Sequence, residues 1–395
     1  MILNPPKILR FAGFFCNLQS LKGDFLMEFK VNSKVLEKLL SHIIPAVPNR
    51  TPMPILENFL FEINGGVLHV SATDLEIALV SSIDISADED IKMVIPARLL
   101  YDVIRSLGDT QINFETEKNS KLRLSTDNGV YNISFSSPED FPTIPSVPKE
   151  KSIKISGNNL KKAIDQTSFA MSKEDMRPAM TGTLLEFSDE GLRFVATDGH
   201  RLVKYINKEL QTKEEEQYII PERAISVLSK LLDEKEVKIY FSKTNISFHI
   251  GELEFISRLI GEKYPAYNSV IPLENENEMK IKTAEILSTI KRMNLFSTSS
   301  SKQVKFSIDS NKLEVAAEDI DHGSNAKENI ECTYSGDPMV IGFNTNYVHD
   351  ILSHIDNEEI IFKLHSPTKA CIIEPVKTNE NEELMLLLMP VRLNN

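Results

Sequence analysis

Three kinds of landmark recur along this chain at one interval, and that interval limits what the chain can fold into. Helix-like segments with polar starts stand at NSKVLEKLLSHI from Asn32, GNNLKKAIDQTSFA from Gly157 and KTAEILSTIKRM from Lys282, 125 residues apart each time. A second set, IPARLLYDVIRSL from Ile95, IPERAISVLSKLL from Ile220 and IGFNTNYVHDILSHI from Ile341, repeats at 125 and 121 residues. The third is a strand, turn, strand pattern. Pro54 and Pro178 each precede by 18 residues an alanine that opens Ala72-Thr73-Asp74 or Ala196-Thr197-Asp198, with a weaker copy at Ala317-Glu318-Asp319. A period this long exceeds the roughly 20–50 residues of a solenoid repeat, so each copy is a whole domain.

Each copy holds two helices and several antiparallel strands. Leu99, Val103 and Leu107 fall at helical spacing, and Pro96 and Pro221 suit a first helical turn, where a missing N–H goes unnoticed. Between the helices KLRLST (121–126), YNISFS (131–136), VKIYFS (237–242) and NISFHI (245–250) alternate as half-buried strands do. Asn64-Gly65-Gly66 and Asp127-Asn128-Gly129 read as tight turns. Polar stretches SVPKEK (146–151) and ENENEM (274–279) mark boundaries. The prediction is an α+β chain of three domains, 27–148, 149–275 and 276–395.

Residues 1–26 stand outside the repeat. Two prolines and a short apolar stretch from Phe11 to Cys16 give neither a secretory signal nor a membrane span. The simplest reading is an upstream start or disordered extension, with Met27 as the working N-terminus. Cys16, Cys332 and Cys371 are odd in number and far apart, which argues for a reducing compartment and against disulfides or zinc. No glycine-rich phosphate loop occurs, and no cofactor is expected.

The formal net charge is −13, an argument against a polyanionic partner unless basic residues are segregated. They are, modestly. The six repeated helical segments sum to +5 and carry Arg98, Arg105, Lys161, Lys162, Arg223, Lys230, Lys291 and Arg292. Domains stacked head to tail can close a ring. Two chains would supply six domains and twelve helices, and a basic lining would meet phosphates without reading sequence.

At this point the residues resemble a known family. VATDGHRL (195–202), MPILENFLFEI (53–63), SFSSPEDFP (134–142), EKYPAYNSVIP (262–272), TYSGDPMVIGFNTNYVHDIL (333–352) and LLMPVRL (387–393) are similar to the bacterial sliding clamp, the beta subunit of the replicative DNA polymerase. The resemblance runs in order from Met27 to Leu393. It implies three clamp domains per chain, closing as a homodimer into a six-domain ring on duplex DNA, in the cytoplasm at the nucleoid. The implied role is non-enzymatic: tethering the replicative polymerase, the clamp loader and other polymerases or repair proteins by short linear motifs, glutamine followed by leucine or phenylalanine.

By motif, the resemblance places one part of a docking cleft at Thr197, Gly199, His200, Arg201, Leu202, Pro265, Val270, Leu387 and Met389. An adjoining part would use Arg177, Met180, Asn344, Tyr347, Pro390, Val391 and Arg392. On the residues alone, Leu202, Val270 and Leu387 read as core. Arg50, in the PNRTPMP loop, joins Arg98 on the implied DNA-facing side, although a solvated loop arginine would look the same. Tyr131 and Ile133 on an edge strand would meet Leu295 and Phe296 of the second chain. Glu174, Pro178 and Ala179 depart from the family's glutamine and tyrosines, which argues against DNA contact by loop 172–179.

Two other functions compete. A scaffold of the same fold would not close on DNA. A hydrolase would use Asp198 and His200, but it lacks a nucleophile, a metal cluster and a phosphate loop.

Overall fold

The computed structural model describes residues 25–87, 89–117, 119–211 and 216–393. Among them are six α-helices, two per repeat: α1 Ser33–Ile43, α2 Ala97–Ser106, α3 Gly157–Thr167, α4 Glu222–Leu231, α5 Thr283–Leu295 and α6 Thr345–Ser353. The strand Phe25–Asn32 starts two residues before Met27. The expectation for residues 1–24 lies outside the described residues.

The described residues fall into two compact units, one reaching to Ser71 and taking in Ser82–Phe141, the other Ala72–Ser81 with Pro142–Asn395. In the first, five antiparallel strands run in the order Ser86–Ala87, Phe25–Asn32, Gln111–Glu117, Lys121–Thr126 and Gly129–Ser134. Phe29 stacks on Phe114 across that sheet, with ring centroids 4.5 Å apart. Asn58–Asn64 pairs with Val67–Thr73 on one side and Ile91–Pro96 on the other. Gly65 and Gly66 make the turn between the first two, both with positive φ (58° and 81°), which non-glycine residues rarely adopt.

In the second unit one sheet runs through two repeats. Arg201–Asn207 pairs in unbroken register with Glu382–Leu388, so nine antiparallel strands form a single layer. That pairing is why the second and third copies make one compact body. Residues 77–81 pair with Leu253–Ser257, which accounts for this short segment joining the second unit. Four strands, in the order Ser324–Glu331, Lys312–Asp319, Gln303–Asp309 and Met339–Asn344, complete the third copy.

Each helix buries one stripe. α1 buries Leu36, Leu39, Leu40 and Ile43 behind an Asn32 cap that accepts from the N–H groups of Lys34 and Val35. α3 can start only at a glycine, because a Cβ on Gly157 would lie 2.1 Å from the Asp233 carbonyl oxygen. Two helix details differ from the sequence expectation. α2 buries Ala97, Leu100 and Ile104, whereas Leu99 is 52% exposed. Both rows have four-residue spacing, so periodicity alone cannot choose between them. Pro96 and Pro221 stand at the N-caps, each as the last residue of a strand, one position earlier than expected.

Candidate binding cleft

The Thr-Asp pairs that mark the repeat are turn-building devices. Thr197 Oγ1 donates to the Arg201 carbonyl at 2.7 Å, and Asp198 Oδ1 accepts from the N–H groups of His200 and Arg201 at 2.9 and 3.0 Å. In the first repeat Thr73 donates to the Ile77 carbonyl at 2.7 Å, and Asp74 Oδ1 accepts from Glu76 and Ile77 at 3.0 and 2.8 Å. Asp319 accepts from Asp321 and His322 in the same way. Such side chains replace backbone partners in a tight turn. Gly199 has φ +88°, and a Cβ there would sit 3.2 Å from Arg177 Nη1.

Asp198 is therefore committed to structure. Its second oxygen accepts from Arg201 Nε at 3.1 Å. Arg201 is 8% exposed, donates also to Asp350 Oδ2 on α6 at 2.6 Å and to the Phe169 carbonyl at 2.8 Å. Its guanidinium lies over Phe169 and Tyr347, 5.4 and 4.7 Å from their centroids. His354 stacks on Phe169 at 4.1 Å, and His200 stacks on Tyr347 at 5.8 Å. The result is a five-layer stack, His354, Phe169, Arg201, Tyr347, His200, joining the second and third copies.

Beside this stack opens a cavity of about 900 Å³. Its lining includes Arg177, Met180, Thr197, Gly199, Arg201, Leu202, Pro265, Val270, Leu387 and Met389. Leu202 and Leu387 are 2% exposed, line the cavity with Tyr267, and belong to one buried apolar cluster with Leu184, Val195, Tyr264 and Ile372, as the core reading required. Val270 is the exception, 56% exposed at the mouth. Tyr267 donates to Glu186 Oε2 at 2.6 Å, and Arg193 Nη1 donates to the same oxygen at 3.0 Å. Burial, then that carboxylate, pushes the Tyr267 hydroxyl up to about 12. Burial alone would raise Glu186, but hydrogen bonds from Tyr267, Arg193 and Gln217 outweigh it and hold the carboxyl below its ordinary value.

His200, Asn344, Tyr347, Pro390, Val391 and Arg392 lie outside that lining. Asn344 caps α6, accepting from Asn346 and Tyr347. The segment after Met389 runs beside the cavity: Met389 N–H donates to the His200 carbonyl at 2.8 Å and Val391 N–H to the Gly342 carbonyl at 2.9 Å. Gln303 Nε2 donates to the Arg392 carbonyl at 3.2 Å. Sequence reasoning missed Leu273, Asn275, Thr368 and Lys369, which line the far end. Nothing in their residue types signals a site; the side-chain ties of Asn275 to the Ala370 carbonyl and of His365 to the Glu274 carbonyl bring 368–370 to 273–275.

Three family models cover the chain in order: the DNA polymerase III beta subunit N-terminal domain over residues 27–145, its central domain over 154–266 and its C-terminal domain over 268–392. The chain belongs to the DNA polymerase III beta subunit family. The beta sliding clamp of Pseudomonas aeruginosa is 30% identical over 372 residues, which cover 93% of this chain and 100% of that one. That of Buchnera aphidicola is 30% identical over 365 residues, 92% of this chain and all of its own. A solved Pseudomonas aeruginosa sliding clamp bound to griselimycin superimposes with a TM-score of 0.87 at 29% identity, again over 93% of this chain and 100% of that one. Three clamp domains of antiparallel sheets and helix pairs are thus the fold, and the family's role in replication is processivity without catalysis.

The basic helix residues are less free than their count suggests. Arg105 pairs with Asp102 (3.5 Å), Lys161 with Asp165 (3.7 Å), Lys162 with Glu382, Arg223 with Asp74 (3.0 Å) and Arg292 with Glu328 (2.6 Å). Arg98 Nη2 donates to Asn49 Oδ1 at 2.6 Å, fastening the loop that carries Arg50. Arg50, Arg98, Lys230 and Lys291 are exposed. The expected seam needs one correction. Gly129–Ser134 is the edge strand of its sheet, and Tyr131 is 36% exposed, but Ile133 is 4% exposed and packs inward. Its alternate neighbours face solvent while its own side chain completes the core, so it has no apolar surface to offer a partner. Leu295 is 79% exposed at the end of α5, with Phe296 half-buried beside it.

Proposed function

We propose that two copies of this chain close into a ring of six clamp domains around duplex DNA and tether the replicative polymerase, clamp loader and repair proteins through the cleft. The domains of this reading are 27–148, 149–275 and 276–395, and the protein works in the bacterial cytoplasm as a tether with no catalytic step. Arg50, Arg98, Lys230 and Lys291 would meet DNA phosphates without sequence preference, each contact steepening the salt dependence. Tyr131, Leu295 and Phe296 would supply the apolar part of a two-fold seam.

The observation that carries the docking reading is convergence. Ten of the residues the resemblance implies, drawn from 177–202, 265–270 and 387–389, line one cavity of about 900 Å³ with an apolar floor and a few polar groups at its edge. A short peptide with apolar anchors fits such a site. Deleting residues 389–395 removes Met389 from the lining and the segment that runs beside the cavity. The expected result is loss of capture of a glutamine–leucine–phenylalanine type peptide, with dimer mass and retention on circular DNA unchanged. Normal peptide capture by the truncated protein contradicts the assignment.

A further inference from the structure

The cavity extends beyond the anchor pocket. Past Val270 its wall continues along Pro272 and Leu273 to Asn275, Thr368 and Lys369. Leu273 is 96% exposed, the highest value for a large hydrophobic residue among the described residues. Its backbone is nevertheless held. Asn275 Nδ2 donates to the Lys363 and Ala370 carbonyls, both at 2.9 Å. His365 Nδ1 donates to the Glu274 carbonyl at 2.7 Å, and the Lys369 ammonium lies 3.6 Å from the Glu274 carboxylate. On the other side Pro272 fixes its own φ, and Ile271 packs against the apolar floor.

Single exposed apolar residues are ordinary on a soluble surface. Three around one opening are not: Val270, Leu273 and Met389 are 56%, 96% and 39% exposed, and all line this cavity. An apolar rim on a fixed backbone loses little freedom when something packs on it, which favours contact. The charges beside it, Lys369 and Glu274, are opposite and 3.6 Å apart and leave no net charge, so this end of the cavity selects by apolar contact and not by charge.

We propose that Leu273 determines specificity in this cleft: a partner segment seated there carries, outside its anchor residues, a further apolar side chain that packs on Leu273. The inference rests on the cleft being a peptide-docking site.

The test uses the full-length protein and fluorescence anisotropy with labelled peptides. A parent peptide of the glutamine–leucine–phenylalanine type is compared with versions extended by one leucine or one serine, before or after the anchor. On the unaltered protein, one leucine extension binds about fivefold more tightly than its serine counterpart, the gain expected from partial burial of two leucine side chains. On Leu273→Ser the leucine and serine extensions bind alike, the ratio between the two being the readout; the change is at an exposed site and leaves the core intact. Equal binding of leucine and serine extensions to the unaltered protein, or a leucine gain that survives Leu273→Ser, overturns the inference and leaves the docking reading standing. Failure of the parent itself to bind overturns both.

Discussion

Arg201 Nη1 donates to Asp350 Oδ2 at 2.6 Å across 149 residues of chain, joining the turn after Thr197 to α6. Arg201 is a wall of the cavity and also a tie between two repeats, and the two roles are separable by mutation. Removing the arginine leaves Asp198, with its side chain 13% exposed, and the Phe169 carbonyl without their partner. Arg201→Ala is expected to cost about 3 kcal/mol, in the range for breaking a buried pair. Asp350, whose side chain is 40% exposed, regains water when unpaired, so Asp350→Ala is expected to cost about 1 kcal/mol. The double variant should cost clearly less than the sum, read from urea midpoints, because both changes break one network. Additive costs would mean the bond carries no energy of its own.

The Glu186 cluster makes the cleft floor sensitive to acid. Its folded carboxyl lies below the ordinary 4.5, held down by Tyr267, Arg193 and Gln217 against the opposing effect of burial. A depressed carboxyl contributes stability that is complete above the ordinary value and lost as pH falls through the folded one. Thermal midpoints should therefore be flat above pH 5 and fall below about pH 4. Glu186→Gln should lower the midpoint at pH 7 and flatten the acid limb. An acid limb unchanged by that substitution would assign the loss to other carboxylates.

Leu295 is 79% exposed at the end of α5, and Tyr131 projects from an edge strand. Replacing Leu295 and Phe296 together by Ala should convert a dimer into folded monomers, seen as halved mass in light scattering at low micromolar concentration with unchanged helix content. Ile133→Ala should instead lower stability by about 2–5 kcal/mol and leave the mass alone, since that side chain fills its own core. A double variant that stays dimeric places the seam elsewhere.

Much of the fold was legible because repetition supplies an internal check. The repeat of 121–125 residues located all six helices among the described residues, α1, α3 and α5 starting at Ser33, Gly157 and Thr283. What single positions do was harder to read. In α2 the rows Leu99/Val103 and Leu100/Ile104 have equal periodicity, and packing alone decides that the second is inside. Ile133 and Tyr131 share a face of one strand, yet one is core and the other is surface. In the cleft, motif blocks near 197–202, 265–270 and 387–389 pointed to the cavity. Leu273 and Lys369 gave no sign, because their meeting depends on side-chain ties from Asn275 and His365. Arg223 and Arg292 looked available until Asp74 and Glu328 were found beside them.

A ring of six clamp domains would hold DNA by enclosing it. The direct measurement is retention after loading onto a nicked circular duplex, with the same molecule then cut once by a restriction enzyme. In moderate salt the ring should stay on the circle through gel filtration and leave within minutes of linearisation, because it slides off a free end. Blocking the ends with bound protein should restore retention. Equal retention on circular and linear DNA, or loss from both at the same salt concentration, would contradict enclosure and reduce the interaction to surface charge.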